Sequence, residues 1–391
     1  VTRKIARIIA RLNVGGPARH VTWLSEAMSP YGSTAEFETA LITGVVPPGE
    51  DDMSRFAIEH GVTPIVIPEM SREISPRDVI TIWKLFRFFR RYRPDIIHTH
   101  TAKAGAAGRA AGFLYRLLTR RRVKFVHTYH GHIFHSYYGR LKTRMFLLIE
   151  RTLARMTDAI IVLSEQQRRE IHETFGVGKR EQFHIIPLGI DFDDLGVVRA
   201  SGAPFVVAIV GRLAPIKNHD MFLRVADRLR DMQNVRFVIY GDGSERARLT
   251  ETENVTLAGT HPAAEIYSSI HIAALTSLNE GTPLSLIEAM AAGIPVISTA
   301  VGGVVDLLSD VVETNDGGYE VRERGITAKS NDDAGFANGL RRLLTDDPLR
   351  TRLAQQARQY ARATYSKERL IADIIRLYDD LASQPLSRPA S

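Results

Sequence analysis

Apolar residues fall along this chain in short runs rich in Val and Ile, each followed by a longer stretch in which they recur at helical spacing. The runs predict strands at 7–12, 37–43, 64–67, 96–99, 123–128, 159–163 and 183–186, and a second set at 205–210, 235–240, 255–258, 272–275 and 295–298. Helices fill the intervals, which gives two α/β domains, each a doubly wound parallel sheet. The junction lies over 187–204, where Gly and small residues gather. The expected division is 1–187, 188–366, and a last segment 367–391 made of a helix and a disordered tail at 384–389.

In such sheets ligands bind beyond the carboxyl ends of the strands, at the turns leading into helices. Four segments there carry chemistry. Asn279-Glu280-Gly281-Thr282-Pro283-Leu284 runs on to Glu288 and Gly293, placing two carboxylates across a loop-to-helix junction. Pro283 suits the first helical position and Gly293 the stop. The free N–H groups at that helix start favour an anion, and Glu280 and Glu288 can accept from sugar and ribose hydroxyls. A nucleotide sugar answers both demands. The run 206–210 delivers Gly211-Arg212-Leu213 and then Lys217. An isolated cation after a strand is ordinarily solvated, but this order suits two cations neutralising a departing diphosphate.

Phe125 to His135 holds four histidines, His127, His130, His132 and His135. Zinc sets more often come at helical spacing or with Cys and a carboxylate, and no acidic residue lies between Asp95 and Glu150. No metal or other cofactor is expected. Gly15-Gly16-Pro17 opens the first helix, which should run to about 28; it lacks the third glycine of a dinucleotide fingerprint, and no acid ends the second strand. That argues against an oxidoreductase.

The segment from Glu280 to Glu288 resembles the two-glutamate motif of family 4 retaining glycosyltransferases of GT-B architecture, and Gly211-Arg212 with Lys217 resembles their diphosphate clamp. The resemblance implies that Glu280 contacts the donor sugar and Glu288 the ribose. His130 matches the family's His-Gly position facing the sugar, and Gly16 its phosphate-side loop, with Gly15 beside it. It implies a donor site formed by Gly15, Gly16, Gly211, Arg212, Lys217, Gly281, Thr282, Pro283, Leu284 and Glu288, and catalysis by His130, Glu280, Arg212 and Lys217. Thr282 stands where many members have a bulky residue. The small-residue turn Gly302-Gly303 also matches, and the last helix, 367–381, should cross back onto the N-domain. Asp191-Phe192-Asp193 mimics the Asp-x-Asp metal motif of a different glycosyltransferase architecture, but it sits on the linker, and the clamp cations supply what a divalent ion would. The implied reaction transfers sugar from a nucleotide diphosphate sugar, UDP-linked by family frequency, to a lipid-linked or glycan acceptor in polysaccharide or glycolipid synthesis. Members from bacterial surface-polysaccharide pathways share the run around His130.

The composition adds a compartment and a partner. The 391 residues contain no cysteine and no apolar stretch of membrane-span length, and no signal-peptide pattern precedes the first strand. A cytoplasmic enzyme is expected. Residues 1–200 hold 30 Lys and Arg against 20 Asp and Glu, and from Lys84 to Arg155 the balance is 17 to two. Stretches 83–93 and 137–148 interleave these cations with Trp83, Phe86, Phe88, Phe89, Tyr137, Tyr138 and Phe146. Basic amphipathic helices of this kind dock on anionic lipid, whereas no nucleic-acid-binding signature accompanies the charge. Two rivals remain at this point: a GT-B sugar-nucleotide epimerase, and a non-catalytic binder of anions or nucleic acid.

Overall fold

A computed structural model describes residues 2–13, 15–29, 32, 36–47, 50, 52–70, 76–130, 140–195, 202 and 204–383. The chain divides into two compact units, one of residues 1–189 with 368–391 and the other of 190–367.

The first unit is built on seven parallel strands: β1 (Arg3–Ile9), β2 (Phe37–Thr43), β3 (Ile65–Val66), β4 (Ile96–His100), β5 (Lys124–Thr128), β6 (Ala159–Val162) and β7 (Phe183–Ile185). Their order is β3-β2-β1-β4-β5-β6-β7, so the sheet is wound outward in both directions from β1 and β4. Burial on both faces explains the near-continuous apolar runs of the inner strands such as β6, while β3 and β7 at the edges are more open. β1 begins four residues earlier than expected and stops at Ile9. Leu12 is fully buried, yet its carbonyl accepts from Met53 N–H outside the sheet, so burial continues where the strand has ended. The closing helix, Lys367–Ser383, belongs to this unit from Glu368 onward. Its Leu370, Ile374, Leu377, Tyr378 and Leu381 pack with Ile5, Leu24, Met28, Phe37 and Val126. Each fully buried Leu or Ile contributes about 1.5–3 kcal/mol, so this stripe anchors the helix to the N-terminal sheet. Arg369 donates to the Pro187 and Leu188 carbonyls and pins its start.

The second unit carries β8 (Phe205–Val210), β9 (Val235–Tyr240), β10 (Val255–Gly259), β11 (Ile272–Leu275), β12 (Val296–Thr299), β13 (Val311–Thr314), β14 (Tyr319–Arg322) and β15 (Gly325–Ala328), in the order β10-β9-β8-β11-β12-β15-β14-β13. The first five match the sequence reading closely. The last three were not expected: β15 extends the parallel array beside β12, and β14 and β13 close that edge antiparallel. All four residues of β13 are exposed, so it lacks the apolar run by which the other strands are recognised.

Candidate active site

In the second unit, β8 ends in Gly211 at φ +154°, and the chain turns through Arg212 into a short 3₁₀ helix, Pro215–Lys217. Two residues tie that helix and the residue after it to the end of β11: Leu278 N–H donates to the Ile216 carbonyl at 2.8 Å, and Thr276 Oγ1 is shared between those of Lys217 and Asn218 at 3.1 and 3.0 Å. Lys217 is thereby carried to Glu280, its Nζ 2.6 Å from Oε1. Ser277 Oγ donates to the same oxygen at 2.5 Å. One carboxylate oxygen thus takes two donors, and neither reaches Oε2.

The backbone behind Glu280 is equally fixed. Gly303 N–H donates to its carbonyl at 2.9 Å, and Gly302 sits at φ +49° with any Cβ 2.0 Å from that oxygen. No other residue fits there without moving the site. Gly241, at φ +133°, serves the same purpose under Gly211, whose carbonyl oxygen would lie 1.9 Å from its Cβ. Arg212 is exposed, and no side chain among the described residues pairs with it.

The helix after Glu280 runs Leu284–Ala292 and closes on Gly293 in the left-handed conformation. Pro283 precedes the first helical residue instead of occupying it. Its carbonyl accepts from both Leu286 and Ile287 N–H, while those of Leu284 and Ser285 at the helix start have no acceptor among the described residues. These are the free donors that suit an anion. One turn on, Glu288 Oε2 accepts from Tyr267 Oη at 2.8 Å. Burial and the Glu288 charge push the Tyr267 hydroxyl well above its ordinary pKa, so it stays protonated and orients the carboxylate.

The first unit holds a cluster that the sequence reading saw only in part. His98 and His100, two apart on β4, share one face of the sheet, and Arg7 on β1 lies beside His98 in register. His20, from the helix Gly16–Ala27, and His130, just past β5, complete the group. Arg7 is fully buried, and no carboxylate pairs with it among the described residues. Burial holds His20, His98 and His100 well below the usual imidazole range and His130 at about 4, so all are neutral near pH 7. His127 packs separately, with Nδ1 2.9 Å from Thr99 Oγ1 and its ring edge-on to Tyr129. Gly15 caps the helix at φ +149°, with Gly16 its first residue. His132 and His135 lie outside the described residues. Two histidines at period two in a fully buried strand were the available signal for the cluster.

His20, His100 and His130 each offer a ring nitrogen, all within 4.8 Å of one another, a spacing a divalent metal could draw together. The donor set argues against one. Arg7 presses a fixed positive charge onto His98 and His100 at 3.1 and 3.5 Å, and His100 Nδ1 and His130 Nε2 engage each other at 2.9 Å. A dication would sit beside an uncompensated guanidinium. The Asp191-Phe192-Asp193 motif is likewise occupied: Asp191 pairs with Lys367 and accepts from Asp193 N–H.

Comparison with known proteins identifies the class. A model described as Glycosyltransferase Family 4 matches residues 14–194, and one described as Glycosyl transferases group 1 matches 195–360. The chain belongs to the family 4 glycosyltransferases and has the two-domain GT-B fold. It is 25% identical over 351 residues to the UDP-Gal:alpha-D-GlcNAc-diphosphoundecaprenol alpha-1,3-galactosyltransferase of Escherichia coli, covering 83% of this chain and 85% of that protein. It is 27% identical over 276 residues to the D-inositol 3-phosphate glycosyltransferase of Stackebrandtia nassauensis, covering 62% and 59%. Among solved structures, Anabaena HepE in complex with UDP and glucose superposes with a TM-score of 0.73 at 18% identity, over 97% of this chain and 100% of that one. An enzyme follows, and the non-catalytic reading falls.

Proposed function

We propose that this chain is a retaining, metal-independent transferase that moves a sugar from a UDP-linked donor to a lipid-linked or glycan acceptor in surface-polysaccharide or glycolipid assembly. The observation that carries the reading is the Lys217–Glu280 pair. Two motifs 63 residues apart are joined at the strand ends, a cation from one on a carboxylate from the other. With Arg212 and the free N–H groups of Leu284 and Ser285 they form a concentrated anion site next to an acceptor for sugar hydroxyls. On donor binding Lys217 exchanges Glu280 for diphosphate oxygens, and Glu280 takes up the sugar. Arg212 and Lys217 stabilise the charge that grows as the bond from the anomeric carbon to phosphate oxygen breaks. The acceptor hydroxyl attacks from the leaving-group face and passes its proton to the departing phosphate. His130 hydrogen-bonds the sugar or phosphate, and Glu288 holds the ribose. The names of the E. coli relative and of HepE, which pair a UDP-sugar with a diphospholipid acceptor and UDP with glucose, support the donor and acceptor classes.

UDP release should require acceptor and persist in excess EDTA, and the anomeric proton coupling of the product should match that of the donor. Inversion at that carbon, or loss of turnover with chelator restored by one metal, would overturn the mechanism.

The cellular setting we infer is the inner face of the cytoplasmic membrane. No helix among the described residues is long and apolar enough to cross it, so attachment would be peripheral. The helix Asp78–Tyr92 exposes Val79, Ile80 and Trp83, with Arg87 stacked 4.7 Å over the indole and Arg90 and Arg91 alongside. Packed on it, the helix Ala102–Thr119 exposes Leu117 and Leu118, each at 62%. The aromatic contribution is smaller than the sequence implied: Phe89 is fully buried, Phe86 and Phe88 pack on the core, and Phe146 is half-buried. Tyr137 and Tyr138 lie outside the described residues. Replacing Arg87, Arg90 and Arg91 with Ser should weaken sedimentation with phosphatidylglycerol vesicles several-fold and leave hydrolysis of soluble donor intact, since each near-surface cation is worth about 1 kcal/mol. Arg93 is kept because it closes the helix at φ +58°. Equal sedimentation of variant and wild type would leave only a solvated basic face.

A further inference from the structure

We propose that Arg7, acting through His100, fixes the tautomer of His130 so that it presents Nδ1–H as a hydrogen-bond donor where β5 ends. The proposal deepens the reading of His130 as a contact to the donor sugar or phosphate and rests on it for its catalytic consequence. A guanidinium only donates, and Arg7 Nη1 lies 3.1 Å from His98 Nδ1 and 3.5 Å from His100 Nε2. Both nitrogens must therefore accept. A neutral imidazole has one N–H, so that of His98 sits on Nε2 and donates to Thr128 Oγ1 at 2.7 Å. The N–H of His100 sits on Nδ1 and donates to His130 Nε2 at 2.9 Å. The single proton of His130 is left on Nδ1, which has no partner among the described residues.

Two further observations agree. Tyr378 Oη lies 2.6 Å from His98 Nδ1, and its hydroxyl, able to donate or accept, is satisfied by the same assignment. Burial keeps each ring neutral at pH 7, the condition under which a tautomer is defined. The reverse arrangement would set His100 Nε2–H against Arg7 N–H and strand buried donors on both, at a cost that no partner in the cluster repays. His20 packs edge-on to His130, ring centroids 4.8 Å apart, and holds the plane of the ring. The consequence is directional. Nδ1–H can donate to a sugar hydroxyl or a phosphate oxygen, whereas the opposite tautomer would turn a lone pair toward an anionic donor. Arg7 and His100 are positioning residues; His130 is the group that touches substrate.

The test is a long-range ¹⁵N–¹H correlation spectrum of the ligand-free protein with ¹⁵N-labelled histidine, at pH 7.5. His100 and His130 should appear as Nδ1–H and His98 as Nε2–H; a His130 ring protonated on Nε2 would overturn the proposal directly. Two substitutions give it kinetic content. His100→Asn can place an amide N–H where Nδ1–H stood and should retain the His130 tautomer and most of kcat. His100→Asp offers only an acceptor, should pull the His130 proton to Nε2, and should lower kcat roughly 10-fold with KM changed less, as the loss of one hydrogen bond made to a charged group would. Equal losses in the two variants would reduce His100 to a packing role and refute the relay. Wild-type turnover in His130→Ala, with the tautomers as assigned, would instead refute the donor contact and leave the relay standing as structure.

Discussion

Lys217→Ala and Arg212→Ala should each lose roughly 10²-fold or more in kcat, the scale on which a single preorganised group facing developing charge acts. Lys217 meets that demand from a held position: its 3₁₀ helix is bonded to the end of β11, and its ammonium already lies 2.6 Å from Glu280. Breaking the bond to diphosphate shifts negative charge onto oxygens that both cations face. Their contacts therefore strengthen in the transition state, and the loss should fall on kcat more than on KM. Arg212→Lys should rescue poorly, because a point charge replaces a planar fork. Lys217→Ala also leaves the Glu280 carboxylate, 11% exposed, with Ser277 as its remaining donor, so weaker donor binding should accompany the slower step. Steady-state kinetics with saturating acceptor decides it. Near wild-type kcat in either variant would mean that the cation faces solvent through the reaction.

Acid should unfold this chain well above the range in which carboxylates titrate. His20, His98, His100 and His127 are buried and held well below the ordinary imidazole pKa, chiefly by desolvation, with His130 at about 4. The unfolded chain takes up protons on these rings near pH 6.5, whereas the folded chain does not. Their contribution to stability is complete above about pH 6.5 and declines as the pH falls from there through the folded values. Each ring can contribute a slope of at most about 1.4 kcal/mol per pH unit, and several act together. Between pH 6.5 and 5 the histidines set the direction of the change. Urea midpoints followed by circular dichroism at pH 7.5, 6.5 and 5.5 should fall modestly over the first interval and roughly two- to three-fold more steeply over the second, because the unfolded rings are half protonated at about pH 6.5. A flat midpoint down to pH 5 would mean that the cluster accepts protons in the folded state.

What the sequence disclosed follows from how local each signal was. The apolar and β-branched character of their residues placed β2, β8, β9 and β11 residue for residue, whether the strand is buried throughout like β11 or alternates like β9. β13 is exposed throughout and carries no such run; Asn315-Asp316-Gly317-Gly318 between it and β14 was a turn signal without an apolar strand before it. The Glu280 and Lys217 motifs were legible because a glycine turn, a cation and a helix start lie together in the chain. That they meet each other was not, since Leu278 N–H on the Ile216 carbonyl and Gly303 N–H on the Glu280 carbonyl are long-range bonds. Tyr267 is 21 residues from Glu288, and nothing in its own neighbourhood announces a partner. Arg7 is the clearest case. In the sequence it is one of many cations in a basic half; in the fold it is a buried charge among neutral histidines, and only the β1–β4 register puts it there.

On the proposed reading, the second unit recognises a nucleoside diphosphate sugar in two parts, ribose at Glu288 and sugar at Glu280. Isothermal titration of UDP, GDP and their hexose and N-acetylhexosamine conjugates against wild type, Glu288→Gln and Glu280→Gln tests it most directly. One nucleoside diphosphate should bind wild type. Glu288→Gln should weaken that binding roughly 10-fold, as expected for a lost hydrogen bond to a charged group. Glu280→Gln should leave the bare diphosphate bound as in wild type and remove the added affinity of the matching sugar conjugate. Failure of every nucleotide to bind, or both variants titrating like wild type with diphosphate and conjugate alike, would contradict the assignment.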